Sequence, residues 1–263
     1  MWNALFWGTF AASATMFGAI MALKLSIPKR IIGYIMALGT GALIGATTYE
    51  LLQESLEISG FMEVAIGFLG GAIIFTILDI LISYKGGGHQ RKQSDRAYKK
   101  DGTLFSDSGI ASSASGQGGG KTSGMGIFIG SVMDTLPESA MIGVSLIGGQ
   151  SVSLALVVSV FISNIPEGLS STVGLRKSGF SRKKILIMWA LVVFFSALSS
   201  LAGATLLDDA SDSVIAIVSS FTGGAIIAMV ASTMMPEAYK EGGPTVGIVT
   251  SMGVFIALWL HYI

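Results

Sequence analysis

Eight stretches of this chain are long enough and apolar enough to cross a lipid bilayer. A hydrocarbon core of about 30 Å needs about 20 mostly apolar residues per helix. Residues 2–23, 31–51, 60–84, 125–147, 151–175, 185–207, 214–238 and 245–263 meet that demand. Inside a bilayer every backbone polar group must be satisfied internally, which favours helices. The composition agrees: 51% of residues are hydrophobic and 12% are charged, where a soluble domain carries about a quarter charged. A secreted soluble protein, a nucleic-acid binder and a disordered chain are excluded. The expected fold is an all-α integral membrane protein with eight transmembrane helices.

The basic residues orient those helices. All sixteen Lys and Arg follow helices 1, 3, 5 or 7. Lys24, Lys29 and Arg30 come first, seven more lie between Lys85 and Lys121, Arg176 to Lys184 hold five, and Lys240 is last. With eight helices those four loops share one face. Cytoplasmic loops are enriched in Lys and Arg, so both termini are expected to be extracytoplasmic. The opposite loops carry Glu57, Glu63, Asp208, Asp209 and Asp212. No basic residue precedes the first apolar run, so that run is expected to be a first helix and not a cleaved leader. The membrane is expected to be the plasma (inner) membrane.

The organisation follows. Residues 1–84 hold helices 1–3, residues 85–124 form a cytoplasmic loop, and residues 125–263 hold helices 4–8, as one membrane domain. The loop is rich in Gly, Ser and Lys and is expected to be a flexible linker; its single histidine, His89, is a poor metal collector. Within the spans, Gly41/Gly45, Gly67/Gly71 and Gly126/Gly130 show the spacing that lets helices approach closely.

Acidic residues at mid-membrane depth are costly and mark function. Asp134 and Glu138 lie near the middle of helix 4, four residues apart and therefore on one face. Glu167 lies past the middle of helix 5. No Lys or Arg falls within a span, so protons or a bound cation must compensate. The neighbourhoods repeat: Asp134-Thr135-Leu136-Pro137-Glu138-Ser139 and Ser163-Asn164-Ile165-Pro166-Glu167-Gly168. Each proline removes an amide donor and frees the carbonyl four residues earlier, on Met133 and Ile162. Kinked helices with freed oxygens beside acids are a way to build a mid-membrane cation site. At a rise of about 1.5 Å per residue, both motifs lie about 15–20 Å from the short connection between the helices. A third Pro-Glu, Pro236-Glu237, ends helix 7, and Glu50, Glu54 and Glu57 end helix 2. By depth these suit an exit and an entrance step. Asp79 reads as interfacial.

Enzyme chemistry finds little support. There is no cysteine and there are only two histidines, His89 and His261. No nucleophile elbow, zinc-protease pair or phosphate loop occurs. No enzyme activity and no cofactor are expected.

With these motifs placed, the chain resembles the ZIP family of divalent metal transporters over nearly its whole length. Residues 163–168 match the family pattern His-Asn-x-Pro-Glu-Gly at every position but the first, and residues 134–139 keep its Pro-Glu core. The resemblance implies a 3+2+3 helix arrangement, a homodimer, and a metal site between helices 4 and 5. Carried over by position, one ion would see Asp134, Glu138, Ser163 and Glu167. A second would see Thr135, Glu138, Asn164 and Glu167, plus an acid from helix 6. Ser200 stands where that acid belongs, so a Ser200→Glu change would restore the missing carboxylate. The inventory is otherwise all oxygen, which suits manganese and ferrous iron, while family precedent keeps zinc first.

The expected function is a transporter moving a divalent cation, Zn2+ with Fe2+ or Mn2+ as further substrates, into the cytosol; the partners are that ion and the bilayer. Two alternatives are a non-transporting ZIP-like sensor or scaffold with a degenerate site, and a proton-linked carrier of another solute.

Overall fold

The structure, a computed structural model, describes residues 2–25, 27–82, 120–147 and 151–263. Among these residues the chain forms eight helical rods and no strand. They are α1 (Trp2–Lys24), α2 (Lys29–Ile58), α3 (Phe61–Ile82), α4 (Gly120–Val144), α5 (Leu154–Lys177), α6 (Arg182–Leu206), α7 (Asp212–Gly242) and α8 (Val246–His261). Six of them, α1, α2, α3, α5, α6 and α7, are long and apolar enough to cross a membrane. The remaining two are α4, with 25 residues, and α8. α8 is apolar but has 16 residues, about 24 Å at the helical rise. α4 also begins at Gly120, inside the expected loop; the rest of that loop, His89 included, lies outside the described residues.

The faces sort as a membrane bundle should. α3 exposes Ile66, Leu69, Ile73 and Ile77, an apolar surface that water would not tolerate over such length but lipid does. Inside, Leu43, Leu51, Met141, Ile142, Leu156, Val157, Val160 and Met229 form the largest apolar cluster, drawn from α2, α4, α5 and α7.

Helix pairs meet backbone to backbone through reciprocal glycines. A Cβ on Gly18 of α1 would overlap the Ile165 carbonyl of α5, and a Cβ on Gly168 would overlap the Thr15 carbonyl of α1. Gly143 and Gly203 make the same exchange between α4 and α6, Gly41 and Gly253 between α2 and α8, and Gly71 and Gly224 between α3 and α7. Of the spacings read from sequence, Gly41/Gly45 and Gly67/Gly71 do pack against neighbours, whereas Gly130 has open space around it. Proximity of this kind gains dispersion contacts, which replace the hydrophobic effect as the force between helices in lipid.

Two rods change pitch. α2 widens into a π-helical segment at Thr47–Gln53 and α7 at Val230–Met234. Such insertions re-aim side chains and often occur at functional sites. The first carries Glu50 and the second directly precedes Pro236-Glu237.

Candidate metal site

α4 and α5 pack against each other, and α5 is flanked by α1 and α2. Both keep their prolines inside the helix, Pro137 in α4 and Pro166 in α5. The helices continue through them. In α5, the backbone at Ser163 lies against α2: a Cβ on Gly39 would come within 2.7 Å of the Ser163 Cα and 3.2 Å of the Ile162 carbonyl carbon. The Ile162 carbonyl therefore sits where α2 and α5 meet.

Three side chains of the motif carry oxygens that are buried and without a hydrogen-bond partner: Glu138 Oε2, Asn164 Oδ1 and Glu167 Oε1. Glu138 is 2% exposed and Asn164 is fully buried. Asn164 is oriented by α1, since its Nδ2 donates to the Ala11 carbonyl at 3.4 Å. A carbonyl only accepts, so this contact assigns the nitrogen to α1 and leaves Oδ1 as the unpaired acceptor. Glu167 lies close enough to Asp134 and Glu138 for their charges to act on it, and Ser131 of α4 reaches its carboxylate. Ser131 also shares a hydrogen bond of 2.9 Å with Ser171 of α5. Leaving a buried acceptor unpaired costs about 1–3 kcal/mol, and more for a charged group. Three such atoms on facing turns of two helices form an oxygen-rich locus suited to a cation.

Not every expected ligand is drawn in equally. Ser163 is buried, but its hydroxyl donates to Val160 O at 2.9 Å on its own helix. Thr135 likewise donates to Ser131 O at 2.8 Å. Asp134 is within electrostatic range of Asp79 on α3. Among the described residues no three His, Asp or Glu side chains stand close enough together to form a ready metal cage.

Ser200 is committed elsewhere. It is fully buried, and its hydroxyl donates to Ala4 O of α1 at 2.8 Å. Next to it, Ser199 donates to Leu136 O of α4 at 2.8 Å. A Cβ on Gly8 of α1 would collide with the Ser200 side chain. Ser200 is thus a tie between α1 and α6 in a contact with no spare room.

Acids continue toward both ends. Glu237 of α7 acts electrostatically on Glu167, on the side where the basic residues lie. At the opposite end, a cleft of about 210 Å³ is lined by Glu50 and Glu54 of α2, Asp212 of α7, Met141 and Leu156. Met141 and Leu156 are almost fully buried; Glu138 lies one turn beyond Met141. The sequence reading placed Asp212 among the outer acids and left Ser131 unremarked. Ser131 was legible in principle, lying three and seven residues before Asp134 and Glu138 on the same helix face.

The described chain is thus a polytopic helical bundle with buried acids beside the prolines of two packed helices. The model of the ZIP zinc transporter family matches residues 1–260, and the chain belongs to that family. It is also similar to an Arabidopsis thaliana protein named "Putative zinc transporter At3g08650", with 24% identity over 237 residues. That match covers 89% of this chain and 34% of the plant protein, so the chain spans about a third of its relative's length.

Proposed function

We propose that this protein carries a divalent metal ion across the membrane into the cytosol through a site between α4 and α5. Asp134, Glu138 and Glu167 supply the charge, Asn164 Oδ1 a neutral oxygen, and Ser163 a weaker hydroxyl. The observation that carries this reading is the set of unpartnered buried oxygens on Glu138, Asn164 and Glu167, with no basic residue in the spans to pair with them. A carboxylate at bilayer depth costs about 2.5–3.5 kcal/mol on insertion scales. Several together exceed what packing alone would retain, whereas a divalent cation offsets them all.

The route follows the acids. Glu50, Glu54 and Asp212 collect the ion at one end, Met141 and Leu156 close the way to Glu138, and Glu237 receives the ion at the other end. The one-sided basic residues make the Glu237 end cytoplasmic and put both termini outside. Protease added to right-side-out vesicles should therefore leave residues 85–124 uncut; cleavage there from outside would overturn the orientation. The family pattern adds a homodimer in the plasma (inner) membrane.

Zinc leads by family, and the all-oxygen ligand set broadens the range to Fe2+ and Mn2+. Uptake by reconstituted protein, with each divalent ion competing against zinc, tests the assignment. Asp134→His should move the preference toward zinc by several-fold, because imidazole favours zinc over the harder ions. An unchanged order of preference would remove position 134 from the ligand set. The commitment of Ser200 to Ala4 favours one main ion over two.

A further inference from the structure

The transport reading leaves one nitrogen donor unused. His261, in the last turn of α8, meets Glu50 of α2 across 211 residues of sequence, with Nδ1 and Oε1 2.7 Å apart. The ring is held in place. It stacks on Tyr49 with centroids 5.5 Å apart and planes 28° apart, and Tyr262 meets it edge-on at 5.4 Å. Glu54 lies within the electrostatic reach of both Glu50 and His261. Glu57 is engaged separately, accepting from Gln53 Nε2 at 3.1 Å. The histidine and Glu50 side chains are 29% and 14% exposed, so solutes reach them. Glu50 and Glu54 both line the acidic cleft, and no Lys or Arg does.

A simple strut between α8 and α2 would explain the contact only weakly. Those helices already interlock through Gly41 and Gly253, and a solvent-reached ion pair adds little to stability. The arrangement has a second property. A histidine that ligates a metal through one ring nitrogen typically gives the other N–H to a carboxylate, which fixes its tautomer and raises its basicity. Glu50 stands in that place on Nδ1, leaving Nε2 as the ligating nitrogen.

We propose that His261, positioned by Glu50 of the acidic cleft, is a capture ligand for zinc-like borderline cations, with water completing the shell. Imidazole gives this capture point a preference that the all-oxygen site between α4 and α5 lacks. The inference deepens the transport reading and rests on it for its purpose, though the binding event can be tested separately.

The test uses full-length protein carrying His89→Ala, so that His261 is the single histidine. Its modification by diethyl pyrocarbonate is followed by ultraviolet absorbance. Zinc should slow the reaction several-fold and magnesium should not. The protection should persist when Glu138→Gln and Glu167→Gln are added, which separates it from the mid-membrane site. In reconstituted uptake, His261→Gln should raise the half-saturating zinc concentration about tenfold and that for manganese much less. Glutamine still donates to Glu50, so a strut would survive the change. Absence of zinc protection, or an unaltered zinc half-saturation in His261→Gln, would overturn the proposal. Zinc protection in a protein that moves no metal would refute transport and leave the capture site standing.

Discussion

Glu138→Gln and Glu167→Gln should each bring metal uptake to background while the protein still folds. Glutamine keeps the shape of the side chain and removes its charge. Losing one partner of a buried charged set costs about 3–5 kcal/mol, which is more than about a hundredfold in ion affinity. The fold should not suffer, because a neutral amide is easier to bury than an unpaired carboxylate. Thermal melting in detergent should therefore stay at or above the parent's value without metal, while the rise on adding zinc disappears. Normal uptake by either variant would make that acid structural.

Ser200→Glu has a large effect of the opposite kind from the one family likeness suggests. By likeness alone it restores the acid of a second ion position. By geometry it places a longer, charged side chain where the Ser200 hydroxyl already holds the Ala4 carbonyl and Gly8 leaves no room. Overpacking typically costs about 1–3 kcal/mol, and an unpaired buried charge adds to that. The expected result is a lower melting temperature and reduced yield of folded protein, with no gain in bound metal per chain by elemental analysis. A well-folded variant that binds one more ion than the parent would show that α1 can yield.

The sequence disclosed the membrane class and the paired motif because both rest on local rules. Apolar length marks a span, and Pro137-Glu138 and Pro166-Glu167 stand out against an apolar background. What the sequence could not supply were contacts between distant residues. Asn164 to Ala11, Ser200 to Ala4 and His261 to Glu50 join parts of the chain that no periodicity links. Ser200 shows the limit best: its position in the family pattern was readable, but the hydroxyl's engagement with α1 depends on how closely two backbones pass at Gly8.

The glycine contacts have a mechanical consequence. α1 is keyed to α5 through Gly18 and Gly168, α4 to α6 through Gly143 and Gly203, and α1 to α6 at Gly8 and Ser200. Sliding any of these helices by one residue, about 1.5 Å, would drive a carbonyl or a side chain into its neighbour. Asp134, Glu138, Asn164 and Glu167 are therefore mounted on a single stiff frame. Closing around an ion is left to side-chain rotation, whose reach is short, and the compliance of the site is that of a few χ angles. If the proposed site binds its ion there, zinc–oxygen distances of about 2.0–2.2 Å and calcium–oxygen distances of about 2.3–2.6 Å would place different demands on the same fixed mounts, and the frame itself would sort ions by radius.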